Sequence, residues 1–265
     1  GADTMGIERI QHVDADTGTE VLQLTSFPNI HWLMGPTPDA IAPDGSALLL
    51  QANSAPVRNA SRDLWRVHAD GSDLEPVLEG AGGGIITTDG RWIVTSRPRG
   101  DGTALVRIPL SGGNIEELAR SDLHTQIHVS AHTGDGRYAV GAGRRTDDTF
   151  DVLRLDLIDG SLTALCRATY LMPVQCHGPG ATRLLSSITV VDEAGEAIRP
   201  WGRWSFSADN VDADWRFVPI DRSTNHYSGN AANLDVVTTA GHPAMALDVA
   251  APGDAEARVA CHGAG

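Results

Sequence analysis

Histidines cluster in segments of this chain that could line one shared polar site. The chain has 10 histidines, and six of them fall in the segments 31–41, 124–132, 171–179 and 241–248. Imidazole, carboxamide and guanidinium groups that converge can hold a divalent metal and an anionic sugar. The alternative for any one of these histidines is a hydrogen bond to a neighbouring loop. The candidates in these segments and in 202–209 are His31, His124, His128, His132, His177 and His242, with Gln126, Gln175 and Arg203.

The elements that must position these side chains are short antiparallel strands. Residues 87–121 contain a turn at Asp89-Gly90, an alternating apolar run, a polar loop, a second run and a Gly-Gly turn. Alternation with a period of two, broken by Asp-Gly, is typical of hairpins. The same order recurs from Asp44 and from Asp135, so the opening aspartates are spaced 45 and 46 residues apart (89 − 44, 135 − 89). A four-stranded unit of this length predicts one blade of a β-propeller.

The sequence therefore predicts an all-β fold, a single β-propeller domain over 1–265 with six four-stranded antiparallel blades, or seven if a divergent region holds one more. The expected blades are 31–80, 81–121, 122–168, 169–200 and 201–240. Half-blades at the two ends predict that N- and C-terminal strands share the last blade and close the ring. In such a fold the first strand of each blade lines the central channel, which is where the histidine segments fall. The glycine-rich segment 81–86 predicts close strand packing near this axis.

The net charge and the cysteine content limit which partners and which cellular location are expected. The net charge of −14, with 20 basic residues that are all arginine, argues against nucleic acid or an anionic membrane as a partner. Three cysteines without metal-site spacing favour a reduced, cytoplasmic protein. A secreted or periplasmic location stays open if a signal peptide has been removed.

A family resemblance enters with the N-terminal phrase DADTGTEVLQLTSFPNIHWLMGPTPDAIAPDGSALLLQANS. This phrase resembles the opening of oligogalacturonate lyases, which have D-x-TG-x-x-V-x-QLT followed by a histidine and a P-x-x-x-PDG turn. The phrases MPVQCHGP, RWSFSADN and GHPAMALD are similar to later parts of the same family. The first three blades equally suit the broader TolB-like class of propellers.

The resemblance implies β-elimination on short acidic oligosaccharides, assisted by a divalent metal, with manganese suspected. It implies His128 as the base, with Arg97 or Arg99 as the assisting arginine. It implies His177, His242 and Gln175 as metal ligands. His31, Gln126, Arg203 and Trp204 are the expected substrate-binding residues. A histidine is suited to abstract the proton beside a uronate carboxylate that a metal or an arginine neutralises.

The sequence departs from the family at three ligand positions, one of which is Thr239 in place of a glutamine. Met172 stands before Pro173 where the family has histidine, and Ala244 stands where a second histidine is expected after His242. His31, His226 or Gln175 could substitute. Two other functions therefore stay open: a non-catalytic carbohydrate-binding propeller and a TolB-like protein-interaction propeller. Core packing is the alternative for the tryptophans near Trp204.

Overall fold

The structure, a computed structural model, describes residues 9–26, 31–33, 38–53, 62–171, 174–177, 179–209, 214–218, 226–229, 235–239, 245–248 and 257–259. Side chains are described for all of these except 31–33, 38, 179 and the strands after residue 218. The described residues form antiparallel strands and two short 3-10 helices, Pro38–Ala40 and Pro179–Ala181. Within them, no helix has the length and apolar character needed to cross a bilayer.

The strands group into one pair and five sets of four consecutive strands. The pair is β1 (Ile10–Val13) and β2 (Glu20–Gln23). Blade 1 contains β3 (His31–Leu33), β4 (Ala47–Asn53), β5 (Arg62–His68) and β6 (Glu75–Leu78). Blade 2 contains β7 (Gly84–Ile86), β8 (Trp92–Arg99), β9 (Gly102–Pro109) and β10 (Glu116–Ser121). Blade 3 contains β11 (His124–His132), β12 (Tyr138–Arg145), β13 (Phe150–Asp156) and β14 (Leu162–Leu171).

Two further sets complete the described chain. Blade 4 contains β15 (Gln175–His177), β16 (Arg183–Val191), β17 (Ala197–Ser207) and β18 (Arg216–Phe217). Blade 5 contains β19 (His226–Gly229), β20 (Asp235–Thr239), β21 (Met245–Asp248) and β22 (Ala257–Val259). The end of β14 also pairs with β16, so blades 3 and 4 share one continuous eight-stranded sheet.

The repeated Asp-Gly turns have one geometry. Asp44, Asp89 and Asp135 each accept a hydrogen bond at Oδ1 from the backbone N–H two residues later, at 2.9, 3.0 and 3.0 Å. The glycines that follow them have φ values of 74°, 68° and 70°, in the left-handed region that glycine enters without steric cost. The repeat seen in the sequence is therefore a structural repeat, and the four-stranded antiparallel blade is confirmed.

Apolar layers between successive blades form the core. Leu49 and Leu64 of blade 1 pack with Ile93 of blade 2. Similar layers join blade 2 to blade 3 and blade 3 to blade 4, and in the last of these Val152 packs with Phe206. Each strand thus contributes alternate residues to the two faces of its blade, as a propeller requires.

The C-terminal half differs from the expected boundaries. Blade 4 occupies 175–217 rather than 169–200, and blade 5 occupies 226–259 rather than 201–240. The segment expected as a terminal half-blade supplies β21 and β22, which pair with β20 in blade 5. Among the described strands, β1 and β2 pair only with each other, so closure of the ring by a shared blade stays a prediction. Pairing between sequence neighbours needs the shortest loops and accounts for this arrangement.

The glycine-rich segment before β7 packs as predicted. A Cβ at Gly82 would lie 2.1 Å from the carbonyl oxygen of Ile127, and one at Gly83 would lie 2.5 Å from that of Val129. The backbone N–H of Val129 donates to the carbonyl of Gly82 at 3.0 Å. The inner edges of blades 2 and 3 are therefore in direct backbone contact, which only glycine permits.

Candidate functional site

Two cavities that share Gln126 and Arg144 lie at one end of the blades. The first has a volume of about 390 Å³ and is lined by Arg62, Gln126, His128, Ala142, Arg144, Phe150 and Leu171. The second, about 210 Å³, is lined by blade 2 residues that include Ser96 and Arg97, together with Thr125, Gln126 and Arg144. We call the two cavities together the arginine cleft.

Strand topology explains why these residues meet. Arg62 is the first residue of β5, Arg144 is next to last in β12, and Arg97 lies near the end of β8. In an antiparallel blade the end of the second strand and the start of the third strand lie at the same edge. Gln126 and His128 lie near the start of β11 and share one face of that strand because side chains alternate. Three blades thus contribute to one cleft.

His128 is held against the glycine-rich segment. A Cβ at Gly83 would lie 2.8 Å from Nδ1 of His128, so the imidazole packs directly on the Gly83 backbone. The ring is half-buried, and within the described residues its nitrogens have no hydrogen-bond partner. Burial, and secondly the positive charge of Arg62, lowers the pKa of His128 to about 4. His128 is therefore neutral at pH 7 and has a free lone pair for a proton.

The cleft is cationic although the protein is acidic. Arg62, Arg97 and Arg144 line it, and no carboxylate does so among the described residues. Arg144 donates to Asp148 outside the cleft at 2.6 Å, and Arg62 lies 3.5 Å from the amide oxygen of Gln51. Local positive charge of this kind can bind an anion in spite of the net charge of −14, which salt screens at longer range.

Of the two arginines proposed to assist the base, one lines the cleft. Arg97 is half-buried there beside Gln126. Arg99 is exposed, and its Nε lies 3.4 Å from Oε2 of Glu117 on the outer strand of blade 2. Strand alternation places both on the same face, but the ion pair draws Arg99 toward β10.

The predicted metal ligands lie elsewhere. Gln175 and His177 are fully buried on β15. His177 Nε2 is 2.9 Å from Oγ of Ser205, and Nε of Arg183 donates to the same hydroxyl at 2.8 Å. Burial, and secondly the charge of Arg183, lowers the pKa of His177 to about 4. His242 lies outside the described residues.

These residues do not fit a metal centre. A ligating imidazole needs a lone pair directed at the cation. Nε2 of His177 is taken by Ser205, and although Nδ1 is buried without a hydrogen-bond partner among the described residues, the guanidinium of Arg183 would repel a cation. Gln175 Oε1 is likewise buried without a hydrogen-bond partner, which would suit a ligand oxygen, but this oxygen and Nδ1 of His177 are fewer ligand atoms than a protein metal site uses. In the described part of the chain no three His, Cys, Asp or Glu side chains are grouped as a metal site.

The remaining predicted substrate-binding residues do not line the cleft. Arg203 donates from Nε to Oγ of Ser187 at 3.3 Å. Trp204 packs edge-on against Trp215 and Phe217, with ring centroids 6.2 and 5.4 Å apart, so the packing alternative describes its environment. The side chain of His31 lies outside what the structure describes.

Two other histidines of the predicted cluster are each paired with an aspartate. His124 is buried between Oγ of Ser121 (Nδ1, 2.7 Å) and Oδ2 of Asp151 (Nε2, 2.9 Å). His132 Nε2 lies 3.2 Å from Oδ1 of Asp39 at the other end of β11. Both satisfy neighbouring elements, which is the alternative that the sequence left open for strand-start histidines.

Sequence reasoning missed Arg62 and Arg144. Both flank loops between the second and third strands of a blade, whereas the sequence prediction places the site mainly in first strands. The signal was present, because an arginine at the matching edge of successive blades is visible once the repeat is aligned: Arg62 begins β5, and Arg144 precedes the loop before β13.

Comparison with solved structures places the fold. Among the similar structures are an oligogalacturonate lyase in complex with manganese (TM-score 0.66, 15% identity, covering 94% of this chain and 71% of that one) and a TolB-like protein from Agrobacterium tumefaciens (0.59, 18%, 94% and 87%). A third is the β-propeller domain of the Trilobed protease from Pyrococcus furiosus (0.53, 10%, 87% and 71%). No family model and no curated protein matches the sequence. The chain therefore has a β-propeller fold, and the resemblance predicted from its motifs is confirmed at that level.

Proposed function

We propose that the arginine cleft binds a short acidic oligosaccharide of the uronate type and cleaves it by β-elimination. The observation that carries this proposal is the grouping of Arg62, Arg97 and Arg144 around a neutral, accessible imidazole, His128. Guanidinium groups bind carboxylates through paired N–H donors. Gln126 adds an amide that can donate to and accept from sugar hydroxyls.

Different residues of the cleft can carry out the separate steps of an elimination. A guanidinium group next to the uronate carboxylate lowers the cost of negative charge that develops at C5. His128 accepts the C5 proton, the electron pair forms the C4–C5 double bond, and the C4–O bond breaks. The leaving oxygen then takes a proton, which the imidazolium or water can supply. Arg62 opposes protonation of His128 in the free protein, and a bound carboxylate offsets that effect.

The manganese of the similar lyase structure belongs to that protein. Here the described donors at Gln175 and His177 do not fit a metal, so no step is assigned to one. A metal held with the help of His242, with manganese the first candidate, stays a prediction that metal analysis of the purified protein would test. Cytoplasmic location likewise stays a prediction.

A second function rests on the low basicity of His128. With a pKa near 4, the imidazole is a weak base, and a propeller that binds the oligosaccharide without cleaving it would need only the arginines. Interaction with a protein partner, as in the TolB-like class, is less well supported because the cleft is small and polar.

One experiment separates these readings. Digalacturonate binding is measured by calorimetry, and the unsaturated product is followed by its ultraviolet absorbance, with and without manganese. Arg144→Gln should weaken binding about tenfold or more, since charge-assisted hydrogen bonds contribute about 1.5–3 kcal/mol. Arg120→Gln is the matched control, because Arg120 is exposed and pairs with Asp122 away from the cleft. Binding without product favours the second function, and absence of binding contradicts both.

A further inference from the structure

A cavity larger than either part of the arginine cleft lies outside that cleft and shares no residue with it. It has a volume of about 530 Å³ and lies where the outer strand of blade 3 meets the β16–β17 turn of blade 4. Its wall includes Arg145, Arg167, Arg199 and Trp215, with Asp192 and Glu193 in the exposed turn. We call it the outer cavity. Its size falls in the range of small-molecule sites, about 300–1,000 Å³.

Arg199 has an unusual environment for this protein. Its guanidinium lies 4.7 Å from the centroid of the Trp215 ring and 5.5 Å from that of Trp204. Among the described residues no carboxylate lies within ion-pair distance of it. Cation–π contact uses the face of the guanidinium and leaves its in-plane N–H donors for another acceptor.

The other arginines that lie over aromatic rings show what is missing at Arg199. Arg107 lies 4.6 Å from the Trp92 ring and donates two hydrogen bonds to Glu116, at 2.8 and 2.9 Å. In the described part of the chain the remaining members of this group are also paired: Arg137 with Asp156 and Arg154 with Asp209. Each of these arginines contacts both an aromatic ring and a carboxylate, whereas Arg199 contacts aromatic rings and, among the described residues, no carboxylate.

The charges near Arg199 indicate which kind of anion could bind to its guanidinium group. Asp151, in the wall, is already bound by His124 and by Arg145, each at 2.9 Å. Nε of Arg167 forms a long ion pair with Oδ1 of Asp151 at 3.9 Å, without a hydrogen bond, so the N–H donors of Arg167 can also bind a further acceptor. The carboxylates of Asp192 and Glu193 lie at the turn, so a doubly charged phosphate would be repelled, whereas sugar hydroxyls could donate to them.

We propose that the outer cavity is a second binding site, for a singly charged sugar acid whose carboxylate pairs with Arg199 and Arg167 and whose hydroxyls donate to the carboxylates of Asp192 and Glu193. This assignment does not rest on the function proposed for the arginine cleft, because the two sites have different residues and either could exist without the other.

The test uses galacturonate, a monosaccharide, and follows the indole N–H signals of Trp204 and Trp215 by NMR, assigned with Trp→Phe variants. Galacturonate should shift these signals in a saturable manner. Arg199→Gln should raise the dissociation constant about tenfold or more because it removes a charge-assisted contact. Arg107→Gln is the matched control and should leave the constant unchanged. Arg144→Gln, in the arginine cleft, should also leave these signals unchanged.

Three results would overturn the assignment. One is the absence of indole shifts with galacturonate. Another is an unchanged dissociation constant in Arg199→Gln, checked for folding by circular dichroism and accompanied by Arg167→Gln. The third is equal binding of glucose, which lacks the carboxylate, or of inorganic phosphate, which the carboxylates of the turn should repel.

Discussion

His128 and His177 have the same lowered pKa, about 4, but occupy different kinds of environment. In each case burial is the larger cause and a nearby arginine is the second. His128 opens into the arginine cleft without a hydrogen-bond partner among the described residues. His177 is closed inside blade 4, with Nε2 against Ser205.

The difference teaches that a perturbed pKa does not identify a reactive group by itself. A base must reach its substrate, and the imidazole must keep a free lone pair. His128 meets both conditions, whereas His177 is fully buried and cannot reach a substrate. For His177 the lowered pKa reports a structural role: it holds β15 to β17 through Ser205, in a layer that also contains Arg183.

The largest expected effect tests which histidine is the base. If the cleft is catalytic, His128→Ala should reduce kcat on digalacturonate by about 10²–10⁴-fold, the usual contribution of general base catalysis. His177→Gln should leave kcat within a few-fold, because Gln can still hydrogen-bond to Ser205. The measurement is the initial rate of unsaturated product formation at saturating substrate.

Thermal unfolding controls for loss of structure in both variants. A large loss of kcat in folded His177→Gln, with little loss in His128→Ala, would reverse the comparison. It would then point to the buried layer of blade 4, and to a metal there, as the site of chemistry.

The next effect is on stability in acid. The unfolded chain protonates histidine near pH 6.5, but folded His177 does so only near 4. The stability that His177 contributes is therefore complete above pH 6.5 and is lost as the pH falls toward 4. The shift corresponds to about 3 kcal/mol. Urea unfolding at several pH values should show this loss in the wild type and a flatter curve in His177→Gln.

Carboxylates act in a lower range and do not obscure the result. Asp44, Asp89 and Asp135 have pKa values lowered below 3.8 by side-chain hydrogen bonds within their turns, so their stabilisation is lost only below pH 4. Identical pH dependence in the wild type and in His177→Gln would show that His177 is not protected in the folded protein.

The Asp-Gly repeat made the fold predictable, but it did not predict the limits of blades 4 and 5. Asp-Gly turns at Asp44, Asp89 and Asp135 fix strand ends locally, so three blades follow directly from sequence. Beyond β14 these turns diverge, and the chain continues from blade 3 into blade 4 along one strand. A strand shared by two blades has no turn to mark the boundary, so the limits of blades 4 and 5 were misplaced.

The candidate site was predictable in part, for a related reason. Gln126 and His128 follow from their place in a first strand, and Arg97 from its neighbouring blade. Whether an imidazole points into the cleft or into a layer between blades depends on strand register and on bulges, such as the one between Val129 and Ala131 in β11. A single inserted residue moves every later side chain to the other face, so His128 and His132 could not be assigned by counting alone.

The smallest expected effect concerns the arginine charge that lies beside each of the two histidines, His128 and His177. Arg62 lowers the pKa of His128, whereas Arg183 acts on His177. Arg62→Gln should therefore raise the pKa of His128 by roughly a few tenths of a unit, because an arginine partly exposed to water is strongly screened. The pKa of His177 should stay the same, which NMR titration of the imidazole signals would measure.

Digalacturonate should also raise the pKa of His128, since a bound carboxylate favours the protonated ring. If it leaves that pKa unchanged while binding tightly, the anion does not lie beside His128, and the imidazole loses its claim to be the base.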